Sequence, residues 1–147
     1  PAARYGRQVG NVDKDEAMNE IEFITIGSMI GKTFTSVIQR AGNEGDELAF
    51  ILRDGGEFVF YHQQDCCEFV RIEDIVGDLS DLVGSPILRA EEASRDAANE
   101  ETDDYSVTWT FYKFATIKGN VTVRWLGTSN GYYSESVYLR VPEGTPL

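Results

Sequence analysis

Apolar and polar positions alternate most strictly between residues 107 and 117. Val107, Trp109, Phe111 and Lys113 share one side there, and Thr108, Thr110, Tyr112 and Phe114 the other. Successive side chains of a strand point to opposite faces of its sheet, so this stretch predicts a β-strand. Gly119-Asn120 turns the chain into a second strand, with Val121, Val123 and Trp125 opposite Thr122, Arg124 and Leu126. Asn130-Gly131 turns it again into residues 132–141, and the last third reads as a β-meander. Upstream, Leu48 to Arg53, then Asp54-Gly55-Gly56, then Glu57 to His62 predicts a β-hairpin, because glycine supplies the positive φ that a tight turn demands. A strand is expected at Thr33 to Gln39, a turn cluster at Ala41 to Asp46 and a further strand over Glu68 to Val76. Gly77 to Gly84 reads as a loop holding a helical turn.

Pro86 to Asn99 carries helical signals. Ser85 stands in N-cap position, Pro86 follows at the first helical position, and Glu91-Glu92 come soon after. Leu88, Ala90, Ala93 and Ala97 form the side expected to face a sheet. Asn99 to Asp104 is an acidic loop. The first 20 residues are polar and without period, so they read as a mobile extension ahead of one folded unit, residues 21–147. The expected fold class is α+β: an antiparallel sheet of meander and hairpins carrying one or two helices, in a single domain.

Composition adds a charge argument. With 13 Lys+Arg against 25 Asp+Glu, the 147 residues have a formal net charge of -12. Polymeric nucleic acid is therefore not an expected partner, because such binding draws on a basic surface that releases phosphate counterions. The charge is uneven. Residues 65–104 hold 13 acids against Arg71, Arg89 and Arg95, whereas residues 105–141 hold Lys113, Lys118, Arg124 and Arg140 against Glu135 alone. That second stretch also carries 9 of the 17 aromatic residues, so an acidic chain keeps one basic, aromatic segment. No signal-peptide pattern occurs in residues 1–20, and no apolar run approaches the ~20 residues that span a bilayer, so a membrane is not expected either. Cys66 and Cys67, being adjacent, make no disulfide framework, and a reducing cytoplasm is the default.

Three places invite a chemical reading. Residues 61–68 gather the single His62 with Asp65, Cys66, Cys67 and Glu68. A thiolate activated by His62, or a metal held by His62, Asp65 and one cysteine, needs convergent side chains, and adjacent strand residues diverge. The simpler reading is buried cysteines beside a polar turn, with no catalytic or metal-binding residue. Gly27 to Thr33 ends in Gly-Lys-Thr, yet its first glycine stands one position short of phosphate-loop spacing. The third place is the basic aromatic segment. The guanidinium of Arg124 matches phosphate oxygens, Trp109, Phe111, Tyr132 and Tyr133 offer rings for stacking, and Asn130 with Ser129 and Ser134 can read polar edges. Against this stands a structural alternative: strand aromatics pair across a sheet, and Arg124 can form a surface ion pair with an acid of the 65–104 block.

Several strings carry a resemblance: Gly31-Lys-Thr-Phe-Thr-Ser-Val37, HxQDCCE at 62–68 within 61–74, residues 77–84, residues 109–119, Val123-Arg-Trp125, and SNGYYSES at 129–136. Over residues 26–138 the chain resembles a family of small phage-encoded proteins that includes the anti-Thoeris sponge proteins of bacteriophages. The resemblance implies a non-enzymatic protein of the infected bacterial cytoplasm that sequesters a cyclic ADP-ribose isomer, and in some cases cyclic oligonucleotides. It implies no cofactor, and a homo-oligomer, dimer or hexamer, with pockets between subunits. Carried here, it makes Arg124 the diphosphate ligand and Trp109, Phe111 or Tyr132 the base-stacking residues. The N-terminal extension and the acidic stretch at Ala97 to Asp104 depart from the family pattern. An enzyme that hydrolyses the signal and a structural or host-protein-binding module are the alternatives.

Overall fold

The computed structural model describes residues 26–98 and 106–146. Its strands are β1 (Ser36–Gly42), β2 (Gly45–Ile51), β3 (Glu57–Tyr61), β4 (Phe69–Val76), β5 (Arg89–Ala98), β6 (Ser106–Thr116), β7 (Gly119–Ser129) and β8 (Tyr138–Arg140). They form two four-stranded sheets, ordered β1-β2-β3-β8 and β4-β7-β6-β5, with every pairing antiparallel. Among the described residues, helix is confined to residues 26–27 and a 3-10 turn at Leu79–Leu82. Asp78 caps that turn by accepting the Ser80 N–H at 2.9 Å.

The core lies between the sheets. Phe50, Phe58 and Phe60 of the first sheet and Tyr112, Phe114 and Trp125 of the second are almost completely buried. Ring contacts join the two layers, Phe50 to Phe114 at 4.8 Å between centroids and Phe60 to Tyr112 at 4.6 Å. Inward positions of β7 are Val121, Val123, Trp125, Gly127 and Ser129, all buried, so Thr122, Arg124, Leu126 and Thr128 take the outer face. The alternation read from the sequence in β6 and β7 is thus what the structure displays, as is the β2–β3 hairpin. The latter turns at Gly55, with φ +91°, and Asp54 Oδ1 accepts the Gly56 N–H at 2.8 Å.

Three expectations are corrected. The helix expected over residues 86–99 is strand β5, paired with β6 along its full ten residues from Arg89↔Ala115 to Ala98↔Ser106. Cap and proline signals act within one turn of chain, whereas a strand as long as β6 offers a continuous row of backbone partners to a neighbour. The meander ends at β7. The chain then crosses to the other sheet, where β8 pairs with β3 through Val59↔Arg140 and Tyr61↔Tyr138. The first strand begins at Ser36 and runs through Ala41 to Gly42, and Thr33 and Phe34 make only isolated bridges to Pro86 and Val83. The expected antiparallel sheet in a single small domain is what the structure shows, but among the described residues it carries none of the one or two helices expected. The N-terminal extension and the acidic loop at residues 99–104 lie outside the described residues.

Gly77, which ends β4, fixes where the chain leaves the second sheet. Its φ is +109°, and a Cβ there would stand 2.5 Å from the Asn120 carbonyl oxygen and 3.2 Å from Val121 Cα. Both neighbours are backbone of the adjoining strand and cannot swing away. Gly77→Ala is therefore expected to destabilise the fold by about 1–3 kcal/mol, with no change in ligand chemistry. A chemical-denaturation midpoint checks this, and an unchanged midpoint contradicts it. No helix among the described residues is long and apolar enough to cross a membrane.

Candidate functional site

The outer face of the β4-β7-β6-β5 sheet collects the basic and aromatic residues of the last third. In the β6–β7 register Phe111 stands opposite Arg124 and Trp109 opposite Leu126. All four point away from the core, and strand alternation alone accounts for that. The Arg124 guanidinium carbon lies 5.2 Å from the Trp109 ring centroid, within cation–π range. Arg124, Phe111, Thr122, Asp74 and Val76 line a recess of about 270 Å³.

On the other flank of Arg124, β4 contributes acids. The pairing shifts between Ile72 and Asp74, so Glu73 is the extra residue of a bulge. Both acids consequently reach the same arginine. Nη2 of Arg124 lies 3.8 Å from Asp74 Oδ2 and 3.9 Å from Glu73 Oε1. These distances exceed hydrogen-bond length, and Glu73 is already engaged by Arg71. The Nε of Arg124 is buried and has no hydrogen-bond partner. The guanidinium is therefore oriented by the Trp109 ring and by long-range attraction while retaining unused donors. The ion-pair alternative read from the sequence is also realised, since Glu73 and Asp74 belong to the acidic block.

The six expected ligand residues fall into two groups. Arg124, Trp109 and Phe111 are assembled on one face. Asn130, Tyr132 and Tyr133 occupy the turn beyond β7, and six residues of strand, about 20 Å at ~3.3 Å per residue, separate Asn130 from Arg124. Asn130 Oδ1 is used within that turn, accepting the Tyr132 N–H at 3.0 Å. Tyr132 is 90% exposed. Ser129 Oγ donates to the buried carboxylate of Glu135 and accepts the Gly131 N–H at 3.0 Å. Glu135 in turn lies across Gly127, where a Cβ would meet its Cβ at 2.7 Å. The sequence pointed to an acid of the 65–104 block but not to which ones face Arg124, because a bulge leaves no compositional mark. It also missed another arginine–ring pair, Arg140 over Tyr61 at 5.1 Å, which brings together residues of β8 and β3.

The residues 62–68 form a buried polar anchor. His62 is 3% exposed and Glu68 4%. The His62 Nδ1 lies 2.7 Å from the Ser136 carbonyl oxygen and its Nε2 lies 2.8 Å from Glu68 Oε2. Both ring nitrogens are thus engaged by neighbours within the fold. Neither nitrogen is left to serve as a base toward a thiol. The Glu68 carboxylate also accepts the backbone N–H groups of Asp65 and Cys66, each at 2.9 Å, and the Gln64 side-chain amide at 3.1 Å. Burial by itself pushes this carboxyl up. The Cys66 N–H, the His62 imidazole, and the backbone N–H groups of Asp65 and of Glu68 itself outweigh burial and hold it down at about 2. The cysteines expected to be buried are instead exposed, and they are joined to each other as a disulfide. Among the described residues no group of three His, Cys, Asp or Glu side chains is arranged to hold a metal.

A pH dependence follows from Glu68. Its folded value lies below the ordinary 4.5, so the stability it confers is complete above the ordinary carboxylate range and is lost as pH falls from about 4.5 toward about 2. Denaturation midpoints measured down the acid branch are expected to fall more steeply for the natural chain than for Glu68→Ala. Parallel curves would contradict the assignment.

Residues 27–139 match the domain of unknown function DUF7448. The chain belongs to the DUF7448 family. No curated protein and no solved structure matches it. The DUF7448 match encloses β1 to β7 and begins before the first core residues of the sheet, so it contains both the Arg124 face and the His62–Glu68 anchor.

Proposed function

We propose that this DUF7448 chain binds a cyclic ADP-ribose-type signalling nucleotide and sequesters it without cleaving it, as a phage counter to bacterial immunity in the cytoplasm of the infected cell. The observation that carries the reading is the Arg124 guanidinium held over Trp109 with an unpartnered Nε, beside Phe111 and an open recess. An anionic ligand with flat rings suits that combination. A charge-assisted hydrogen bond contributes about 1.5–3 kcal/mol, and stacking of a base on an aromatic side chain about 1–3 kcal/mol. Phosphate oxygens would replace the long contacts that Arg124 makes with Glu73 and Asp74, and a ring would lie on Phe111 or Trp109. The turn bearing Asn130, Tyr132 and Tyr133 lies apart within one chain. A second copy is the natural way to bring it near Arg124, which accords with a dimeric or hexameric assembly whose pockets lie between subunits.

The test is direct. The protein is incubated with cyclic ADP-ribose isomers and with cyclic oligonucleotides, freed of unbound ligand, denatured, and the released material identified by mass. Intact ligand supports sequestration, whereas a cleaved product supports hydrolysis and removes it. Absence of both release and thermal shift across the panel favours a module that docks on protein, and the oligomer mass measured alongside tests the assembly.

A further inference from the structure

The Cys66–Cys67 disulfide takes no part in the proposed nucleotide site, and its position gives it a chemistry of its own. Both cysteines are exposed in the connection between β3 and β4, and they are the only cysteines of the chain. A disulfide stabilises chiefly by closing a loop in the unfolded chain, and the gain grows with the loop closed. A bond between neighbours in sequence closes only the smallest possible ring, so this one adds little as a staple. The loop owes its conformation to something else. Glu68, buried and bound by His62, collects the N–H groups of Asp65 and Cys66 and the amide of Gln64, which pins the backbone on both sides of the sulfurs. The backbone N–H of Gln64 adds a bond to Glu44 at 2.6 Å. The bond can therefore open without releasing the loop, and both cysteines stand on an exposed connection that a thiolate can approach.

We propose that Cys66–Cys67 is a reversible thiol–disulfide exchange site for dithiol reductants, operating with the fold intact and independently of the nucleotide reading. A thiolate of the dithiol attacks one Sγ, the S–S bond breaks, and a mixed disulfide forms. The other cysteine leaves as a thiolate and takes up a proton. The second thiol of the reductant then attacks its own sulfur in the mixed disulfide, closes the reductant's disulfide and frees the first cysteine as a thiol. Two electrons and two protons pass to the protein, and the dithiol is oxidised. In a reducing cytoplasm such a bond is a transient state that reports the thiol balance rather than a permanent link.

The test traps thiols with N-ethylmaleimide on the full chain and reads intact mass. Air-equilibrated protein is expected to take no label. After dithiothreitol without denaturant it takes two, the near-ultraviolet circular dichroism stays unchanged, and an oxidised dithiol restores the unlabelled state. Cys67→Ser is expected to take one label with or without reductant, which assigns the sulfurs. Two labels on the untreated protein would overturn the proposal, because no bond then exists to exchange. Labels that appear only after denaturant would overturn it too, since the bond is then part of the fold. Either failure leaves nucleotide release untouched, so the two readings are tested apart.

Discussion

Glu68→Ala is expected to cost about 3–5 kcal/mol of folding stability, read as a lowered denaturant midpoint with unchanged slope. Removing one member of a buried pair costs more than the pair contributes, because the other member keeps its desolvation without its partner. Here the loss is wide. The His62 Nε2, almost wholly buried, loses its acceptor, and the N–H groups of Asp65 and Cys66 lose theirs. The imidazole also holds the Ser136 carbonyl, so the segment leading into β8 is left resting on a ring with one partner instead of two. Glu68→Gln keeps the size but sets an NH2 against N–H donors, and it is expected to recover only part of the loss. A change below about 1 kcal/mol for the alanine variant would remove the anchor from the account.

Arg124→Ala is expected to weaken cyclic nucleotide binding by about tenfold to a hundredfold, the equivalent of losing one charge-assisted contact of about 1.5–3 kcal/mol. Stability should move by less than about 1 kcal/mol, because the side chain is 40% exposed and its ion pairs are long and near the surface. Arg124→Lys separates charge from shape: a point charge on a flexible stem keeps attraction but loses the planar fork, so its affinity should fall between the two. Trp109→Ala leaves the guanidinium without its ring and is expected to weaken binding less than Arg124→Ala. Calorimetric titration of the three variants checks the order. Unchanged affinity in Arg124→Ala would take this face of the sheet out of the binding site.

The contrast between β6–β7 and β5 shows how far local pattern reaches. Trp109 and Phe111 out, Tyr112 and Phe114 in: the assignment needs only a period of two, and burial of one sheet face enforces it. Over residues 86–99 the local signals pointed to a helix, with a serine, a proline and two glutamates in cap order. Those preferences amount to tenths of a kcal/mol each, and a ten-residue ladder against β6 outweighs them. The cysteines illustrate another limit. Composition makes a free cysteine a buried one on average, but here Glu68 is the buried residue that binds the neighbouring backbone, and both cysteines are exposed.

Of the candidate site, the sequence by itself determined which residue types share a face: Arg124 with Leu126 on one strand, Trp109 with Phe111 on the next, because alternation is a property of the backbone. Which acids oppose Arg124, how far the Asn130 turn lies from it, and that His62 meets both Glu68 and Ser136 were decided only by the tertiary structure. Those relations depend on a bulge, on a strand that changes sheets, and on contacts between residues distant in the chain. Nothing local encodes them, since each is set by which surfaces are buried together when the two sheets close.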